Sequence, residues 1–523
     1  MAEIMLDVST VVGSFGRYQF VVMLLTVLRA FPTSWTLTSI DFLAGDVDHW
    51  CSPPTVLQEG EVENNLQFWK ENGIPRINGK LSRCQRYVIV ENTIWPNITE
   101  ECDRWEYNMS APSSSVVEWD LVCKRDWMRS AMQSVSFVGQ FIGALFIGQL
   151  SDWYGRRFML LVSTASVFIF GTVAAWSTSV HVFNGFRFLQ AMAVSGLQTT
   201  TATLYTEICL PRDRNLLNIG FSLGFTLPMI LLPLLAMALN NWRWVQISVG
   251  LSTILMLPCL IFIQESPRWL LAKGRLSEAK TALTRIFRQN GRECPDLEEL
   301  TPALIAKAQA DAASKNLTLS DIWSHRRLRN NLLMLLIYWF FENTFYFANA
   351  FLSTKLGGGR FMSFALSAAA EIPGGILSIF LIRYSHRRTS LAITLLLAGI
   401  ASFILAFTPT DMVFIRLGLN MTCRFLLVMS TAIKWIYTFE LLPTPARVFG
   451  FACCFCCGRI GGMIAPFMRD LANWRASAPH LILTAFSLGA TATLNFIPET
   501  LNHDLPDSFA ESNAISRKLK NTK

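Results

Sequence analysis

Twelve long apolar stretches, six before and six after a charged interval, leave this chain few folds to choose from. They lie at roughly 18 to 40, 130 to 150, 158 to 178, 182 to 206, 215 to 239 and 243 to 263, then 331 to 352, 362 to 382, 389 to 408, 411 to 439, 447 to 468 and 478 to 497. A helix needs about 20 mostly apolar residues to cross a bilayer. Only 16% of the 523 residues are charged, against about a quarter in soluble domains. The expectation is an all-α membrane protein.

The two sets of stretches repeat each other. Glu207 to Arg214 (EICLPRDR) and Glu440 to Arg447 (ELLPTPAR) share one acid-to-base spacing at an offset of 233 residues. GQLSDWYGRR (148 to 157) is matched by LIRYSHRR (381 to 388), and QESPRWLL (264 to 271) by IPETLN (497 to 502), at nearly the same offset. Each motif closes an apolar stretch on the same side, so the halves are parallel repeats related by an axis along the membrane normal. This divides the chain into residues 1–264 and 331–500 as six-helix lobes, 265–330 as an intervening cytoplasmic segment and 501–523 as a tail.

Lys and Arg collect in short cytoplasmic loops. Arg156 and Arg157, Arg212 and Arg214, Arg383 with Arg387 and Arg388, and Arg447 all fall on one side. The segment 265–330 joins them, with twelve Lys/Arg against eight Asp/Glu, and both termini share that side. The opposite, extracellular side holds residues 41–129 at net −6, so the remainder of the chain carries +14. That asymmetry is a topology signal, and no basic face with interleaved aromatics points to nucleic acid. The 41–129 loop contains Cys51, Cys84, Cys102 and Cys123, which read as two disulfides with three possible connectivities. Asn97 and Asn108 head glycosylation sequons there, and a third, at Asn316, falls on the cytoplasmic side. No cleavable signal peptide is evident, so the first span would direct insertion.

These motifs carry a resemblance. GQLSDWYGRR resembles the loop signature of the major facilitator superfamily, and the Glu-to-Arg pairs with ESPRWLL and PETLN are similar to its sugar and organic-ion branches. GSFGRYQ (13 to 19), EWDLVC (118 to 123), WFFENTFYF (339 to 347), AEIPG (370 to 374) and GRIGGMIAPF (458 to 467) are similar to the organic ion transporters of solute carrier family 22. The resemblance implies twelve transmembrane helices in two pseudo-symmetric lobes, with a large glycosylated extracellular loop between helices 1 and 2, in the plasma membrane.

The charged helix ends read as a gate: Asp152, Arg156, Arg157, Glu207, Arg214 and Glu265 from the first half, with Arg387, Arg388, Glu440, Arg447 and Glu499 from the second. One exposed pair is worth only about 0 to 1 kcal/mol, so latching requires a network. The second copy lacks its acid, since Ile382 stands at the position of Asp152 and Ser385 at that of Gly155. The first copy should therefore carry more of the gating energy.

Ionisable residues inside spans are costly unless they meet a partner or a cavity. Arg459, Lys434, Glu371 and Glu342 lie deep, whereas Arg187 and Arg424 sit nearer helix ends, where long stems can snorkel. Arg459 occupies a position at which the resemblance implies Asp in cation carriers and Arg in anion and carnitine carriers. A guanidinium there would hold a carboxylate or sulfate bidentately; the plainer alternative is an internal pair with Glu371 or Glu342. Lys434 adds a second cavity cation if it faces inward with Tyr437, one turn along. Glu371 resembles the acid of cation and carnitine carriers. Gln198 and Ala202 stand where cation carriers place aromatic residues for cation–π contact, so a cation box is poorly supported. Trp339, Tyr346 and Phe347 match substrate-lining positions, against the plainer reading of aromatic packing.

The thiols of CCFCC (453 to 457) would spread round a helix instead of converging on a metal, and they read as small packing residues. No GxxxxGK[ST] loop is present, and neither paired catalytic carboxylates nor a nucleophile with a base stands out. The expectation is a carrier, not an enzyme, without cofactor or metal, with a small organic ion, a counter-ion or co-transported ion, and the lipid bilayer as partners. Organic anions come first and cations or carnitine-like zwitterions second; a non-transporting receptor or regulator on the same fold is the alternative class.

Overall fold

In a computed structural model of the chain, the residues described are 8–53, 68–77, 80–90, 93–108, 112–210, 215–296, 302, 304–305 and 324–501. Each apolar stretch becomes a helix. The first six are α1 (Arg17–Thr38), α2 (Trp127–Tyr154), α3 (Arg156–Val173), α4 (Val180–Ile208), α5 (Asn215–Leu239) and α6 (Trp242–Phe262). The second six are α7 (Arg326–Leu352), α8 (Arg360–Tyr384), α9 (Arg387–Phe407), α10 (Val413–Leu441), α11 (Thr444–Ile464) and α12 (Ala478–Leu494).

Among the described residues, eight helices are long and apolar enough to cross a membrane on composition alone. The helices α4 and α7 fall short because they spend positions on Arg187, Glu207 and Glu342, while α5 and α12 offer shorter apolar segments, Gly224–Leu239 and Ala478–Leu494. The outward faces are apolar: on α9, Ile393, Leu397, Ile400 and Ile404 are exposed at helical spacing, a stripe suited to lipid.

Within the first lobe, α4 packs on α1, α2 and α3. Within the second, α7 packs on α11 and α12, while α10 packs on α8 and α9. The lobes meet along two seams, α5 with α8 and α2 with α11. Close approach depends on missing side chains. A Cβ on Gly374 of α8 would come within 2.5 Å of Val428 and 2.7 Å of the Phe425 carbonyl on α10, and one on Gly462 of α11 within 2.5 Å of Phe137 on α2. Small residues bring membrane helices together in this way.

One face of the bundle carries the segment between α1 and α2, which forms three two-stranded antiparallel sheets. The strands β1 (His49–Cys51), β2 (Arg76–Ile77), β3 (Lys80–Leu81), β4 (Gln85–Val90), β5 (Thr93–Glu101) and β6 (Trp105–Tyr107) pair as β1 with β6, β2 with β3 and β4 with β5. Of the three connectivities open to the four cysteines, the structure has Cys51–Cys102 and Cys84–Cys123. On the opposite face, the helix Leu276–Asn290 clasps the start of α1: the Asn290 side chain accepts the Tyr18 N–H at 2.9 Å and donates to Gln19 at 3.1 Å.

Candidate functional site

Between the lobes lies a cavity of about 210 Å³. The first lobe contributes Gln198 of α4 with Phe225 and Thr226 of α5. The second contributes most of the wall: Trp339, Asn343, Tyr346 and Phe347 of α7; Glu371, Ser378 and Ile382 of α8; Thr431, Lys434 and Trp435 of α10; Phe455 and Arg459 of α11. Ile382 stands in the last turn of α8, so the cavity reaches toward the face opposite the disulfides.

Two of the wall's three charged groups, Glu371 and Lys434, are cancelled by partners standing behind the wall. Arg424 Nε lies 2.7 Å from Glu371 Oε1, both side chains being almost wholly buried. Tyr346 donates to the same oxygen at 2.8 Å, and Thr226 of the other lobe donates to Oε2 at 2.8 Å. Lys434 pairs with Glu342, whose second oxygen accepts from Thr431 at 2.6 Å. The Lys434 ammonium also sits 4.3 Å from the centre of the Trp339 ring. Arg459 has no such match among the described residues. Its guanidinium donates to Gln198 Oε1 at 3.3 Å, across the lobe boundary, and lies 4.5 Å from the Phe455 ring, while its Nε has no partner. Neither Glu371 nor Glu342 pairs with it, so the internal ion pair weighed for Arg459 is not what the structure holds.

Seven of the eight residues singled out for substrate line this cavity: Arg459, Lys434, Glu371, Tyr346, Phe347, Trp339 and Gln198. Tyr437 does not. Its hydroxyl donates to the Pro498 carbonyl at 2.7 Å, because one turn past Lys434 the α10 face has left the cavity and met the chain after α12. Arg424 also departs from its expected place. It is fully buried instead of snorkelling, since Glu371 stands one close helix crossing away. Arg187 is buried too, its guanidinium held by the Thr36 carbonyl, Ser39, Ser136 and Gln246. Sequence reasoning passed over Thr226, Thr431, Asn343, Trp435 and Phe455; their neutral or aromatic types carry no cost signal inside a span.

The charged helix ends form two matching clusters. Arg156 reaches Asp152 at 2.7 Å and Glu207 at 2.9 Å, and Glu265 accepts the N–H groups of Arg156 at 2.7 Å and Arg157 at 3.1 Å. In the second lobe Glu499 accepts from the N–H groups of Arg387 at 2.8 Å and Arg388 at 3.0 Å. A carboxylate suits the positive end of a helix, and each one caps the helix that follows a repeated motif. The side-chain pair is looser there: Arg387 Nε lies 3.4 Å from Glu440. The Ile382 carbonyl takes Arg387 as the Ser151 carbonyl takes Arg156, so the structural counterpart of Asp152 is Arg383 and not Ile382, and the second cluster lacks that acid. Arg447 donates to the Leu442 carbonyl at 3.1 Å. The ion pairs of Arg156 and Arg387 each stay within one lobe. Arg214 lies outside the described residues.

On the disulfide-bearing face, polar contacts do cross between lobes. Arg469 reaches Asp41 at 3.2 Å and Ser130 at 3.1 Å; Ser130 donates to Asp470 at 2.8 Å, Ser134 to the Met463 carbonyl at 2.6 Å and Asn473 to Asp126 at 2.9 Å. Burial outweighs the pull of Arg469, Arg129 and Lys355 and raises the Asp41 carboxyl to about 6. The lobes are locked on this face and the cavity lies below the lock.

Comparison with known proteins fits this geometry. A family profile described as sugar (and other) transporter matches residues 90–507. The organic anion transporter 3 of Homo sapiens is 32% identical over 524 residues, covering 98% of this chain and 94% of that protein. The organic cation transporter protein of Drosophila melanogaster is 28% identical over 531 residues, covering 98% and 95%. Among solved structures, the partially occluded inward-open xylose transporter XylE from E. coli aligns with a TM-score of 0.63 at 15% identity, covering 95% of this chain and all of that one.

Proposed function

Because the chain belongs to the sugar (and other) transporter family and, within it, to the organic ion transporters, we propose that it moves small organic anions across the plasma membrane by alternating access. The observation that carries this reading is Arg459, a buried cation on the cavity wall facing neither Glu342 nor Glu371, both of which are taken. A charge left uncompensated in a low-dielectric site costs several kcal/mol. A carboxylate or sulfonate arriving there offsets that cost and accepts two N–H bonds in one plane. Trp339, Tyr346, Phe347 and Phe455 then offer apolar surface to the organic part of the substrate.

The disulfide-bearing face is the extracellular one in this reading, with Asn97 and Asn108 glycosylated, residues 1–264 and 331–500 as the moving lobes, and both termini cytoplasmic. Two disulfides and an exposed Asn108 support that orientation. The structure then corresponds to a state locked outside and approached from inside, and a counter-ion or co-transported ion would use the same cavity. With Glu371 on the wall and Glu342 behind it both paired, a cation or carnitine-like zwitterion finds no free carboxylate among the described residues of the cavity.

The test is uptake into proteoliposomes of a labelled aromatic sulfonate and a labelled quaternary ammonium ion of similar size. Saturable flux of the sulfonate alone supports the reading. Flux of the ammonium ion alone would replace it, and no saturable flux of either would favour a non-transporting role.

A further inference from the structure

The cavity wall holds two cations that reach it, Arg459 and Lys434, yet only Lys434 has an acid assigned to it. Glu342 is not itself part of the cavity wall. It stands behind Lys434, one oxygen on the ammonium and the other accepting from Thr431 at 2.6 Å, with its side chain wholly buried. Glu342 and Lys434 sit on separate helices of the same lobe, α7 and α10, so the pair does not depend on how the lobes are placed.

Resting on the anion-transport reading above, we propose that Glu342 sets the valence of the transported anion: it holds Lys434 neutralised, leaves Arg459 as the one uncompensated cation among the described residues of the cavity, and so selects monovalent organic anions. The charge count supports it. Arg424 with Glu371 and Lys434 with Glu342 each sum to zero, so among the described residues the site's excess is one positive charge, that of Arg459. A monoanion brings the closed cavity to neutrality, whereas a dianion leaves one negative charge in a low-dielectric space. Its second carboxylate could be satisfied only by displacing Glu342 from Lys434, which would bury that acid unpaired.

Removing the negative charge of Glu342 without changing its shape frees Lys434 to face a second carboxylate. The full-length chain in proteoliposomes would be given labelled benzoate and labelled terephthalate, one ring with one or two carboxylates. Wild type should take up benzoate preferentially. The variant Glu342→Gln should shift the terephthalate-to-benzoate ratio upward by at least about tenfold, and Glu342→Gln with Lys434→Gln should return it to the wild-type value. A pair that merely cements α7 to α10 would lower stability in the single variant and leave the ratio unmoved. An unchanged ratio overturns the proposal.

If the single variant carries no flux, its thermal stabilisation by each anion replaces uptake: terephthalate should stabilise it more than benzoate does, and equal shifts overturn the proposal. Wild type that moves neither anion removes the parent reading. Wild type that moves both equally keeps the parent reading and removes this one.

Discussion

Arg459 and Gln198 meet across the two lobes, guanidinium to amide oxygen at 3.3 Å, inside the cavity. This contact joins the unmatched cation to the opposite lobe through a neutral group. An anion bound at Arg459, as proposed, would compete for the same N–H, so binding and the lobe boundary would involve the same atoms. A hydrogen bond to a charged group contributes roughly 1.5–3 kcal/mol, and the substrate must replace it. Substituting Gln198→Leu should therefore tighten anion binding by about tenfold, read as the inhibition constant of an aromatic sulfonate. Weaker binding would place Gln198 on the substrate instead.

The closure on the disulfide-bearing face should respond to acid, with a sign that follows from where Asp41 holds its proton more tightly. In the closed arrangement its carboxyl is raised to about 6 by burial, against the pull of Arg469, Arg129 and Lys355. Once the lobes part and water enters, it returns toward the ordinary carboxylate range. The proton is thus bound preferentially in the closed form, whose advantage grows as pH falls through about 6 and fades above it. Lowering the pH on that face from about 7.4 to about 5.5 should raise the KM for uptake of a sulfonate probe, whose own charge is constant across this range. Asp41→Asn should flatten that dependence; a KM that falls on acidification would contradict the assignment.

The two charged clusters should differ in weight. Arg156 joins Asp152 at 2.7 Å and Glu207 at 2.9 Å with its side chain almost wholly buried, whereas Arg387 meets Glu440 at 3.4 Å and has Arg383 where Arg156 has Asp152. Arg156→Ala leaves Glu207 buried without its partner, a loss of about 3–5 kcal/mol. Arg387→Ala should cost about 1 kcal/mol. Thermal unfolding of the purified protein in detergent should show the larger Tm drop for Arg156→Ala, and equal drops would remove the asymmetry.

Much of this was legible in the chain because membrane segments announce themselves by length and apolarity, and because a repeated motif such as GQLSDWYGRR with LIRYSHRR discloses symmetry. The cavity charges Arg459, Lys434 and Glu371 could be found from the cost of ionisable groups in lipid. Which cation meets which acid could not be, because it depends on helix crossings. Gly374 lets α8 approach α10 closely enough for Glu371 to reach Arg424. The rotation of α10 sends Tyr437 to Pro498 while Lys434 faces the cavity. The lock made by Asp41 and Arg469 was hidden for another reason: its members lie at helix ends hundreds of residues apart, where a charge raises no suspicion.

On the proposed anion transport, Arg459 is the cation a substrate anion meets. Initial uptake of an aromatic sulfonate into proteoliposomes should be compared between wild type and Arg459→Gln, with the amount and orientation of inserted protein matched. A drop of at least about 100-fold in kcat/KM, corresponding to roughly 3 kcal/mol, is the expected result. Uptake by Arg459→Gln equal to that of wild type would remove Arg459 from the substrate site.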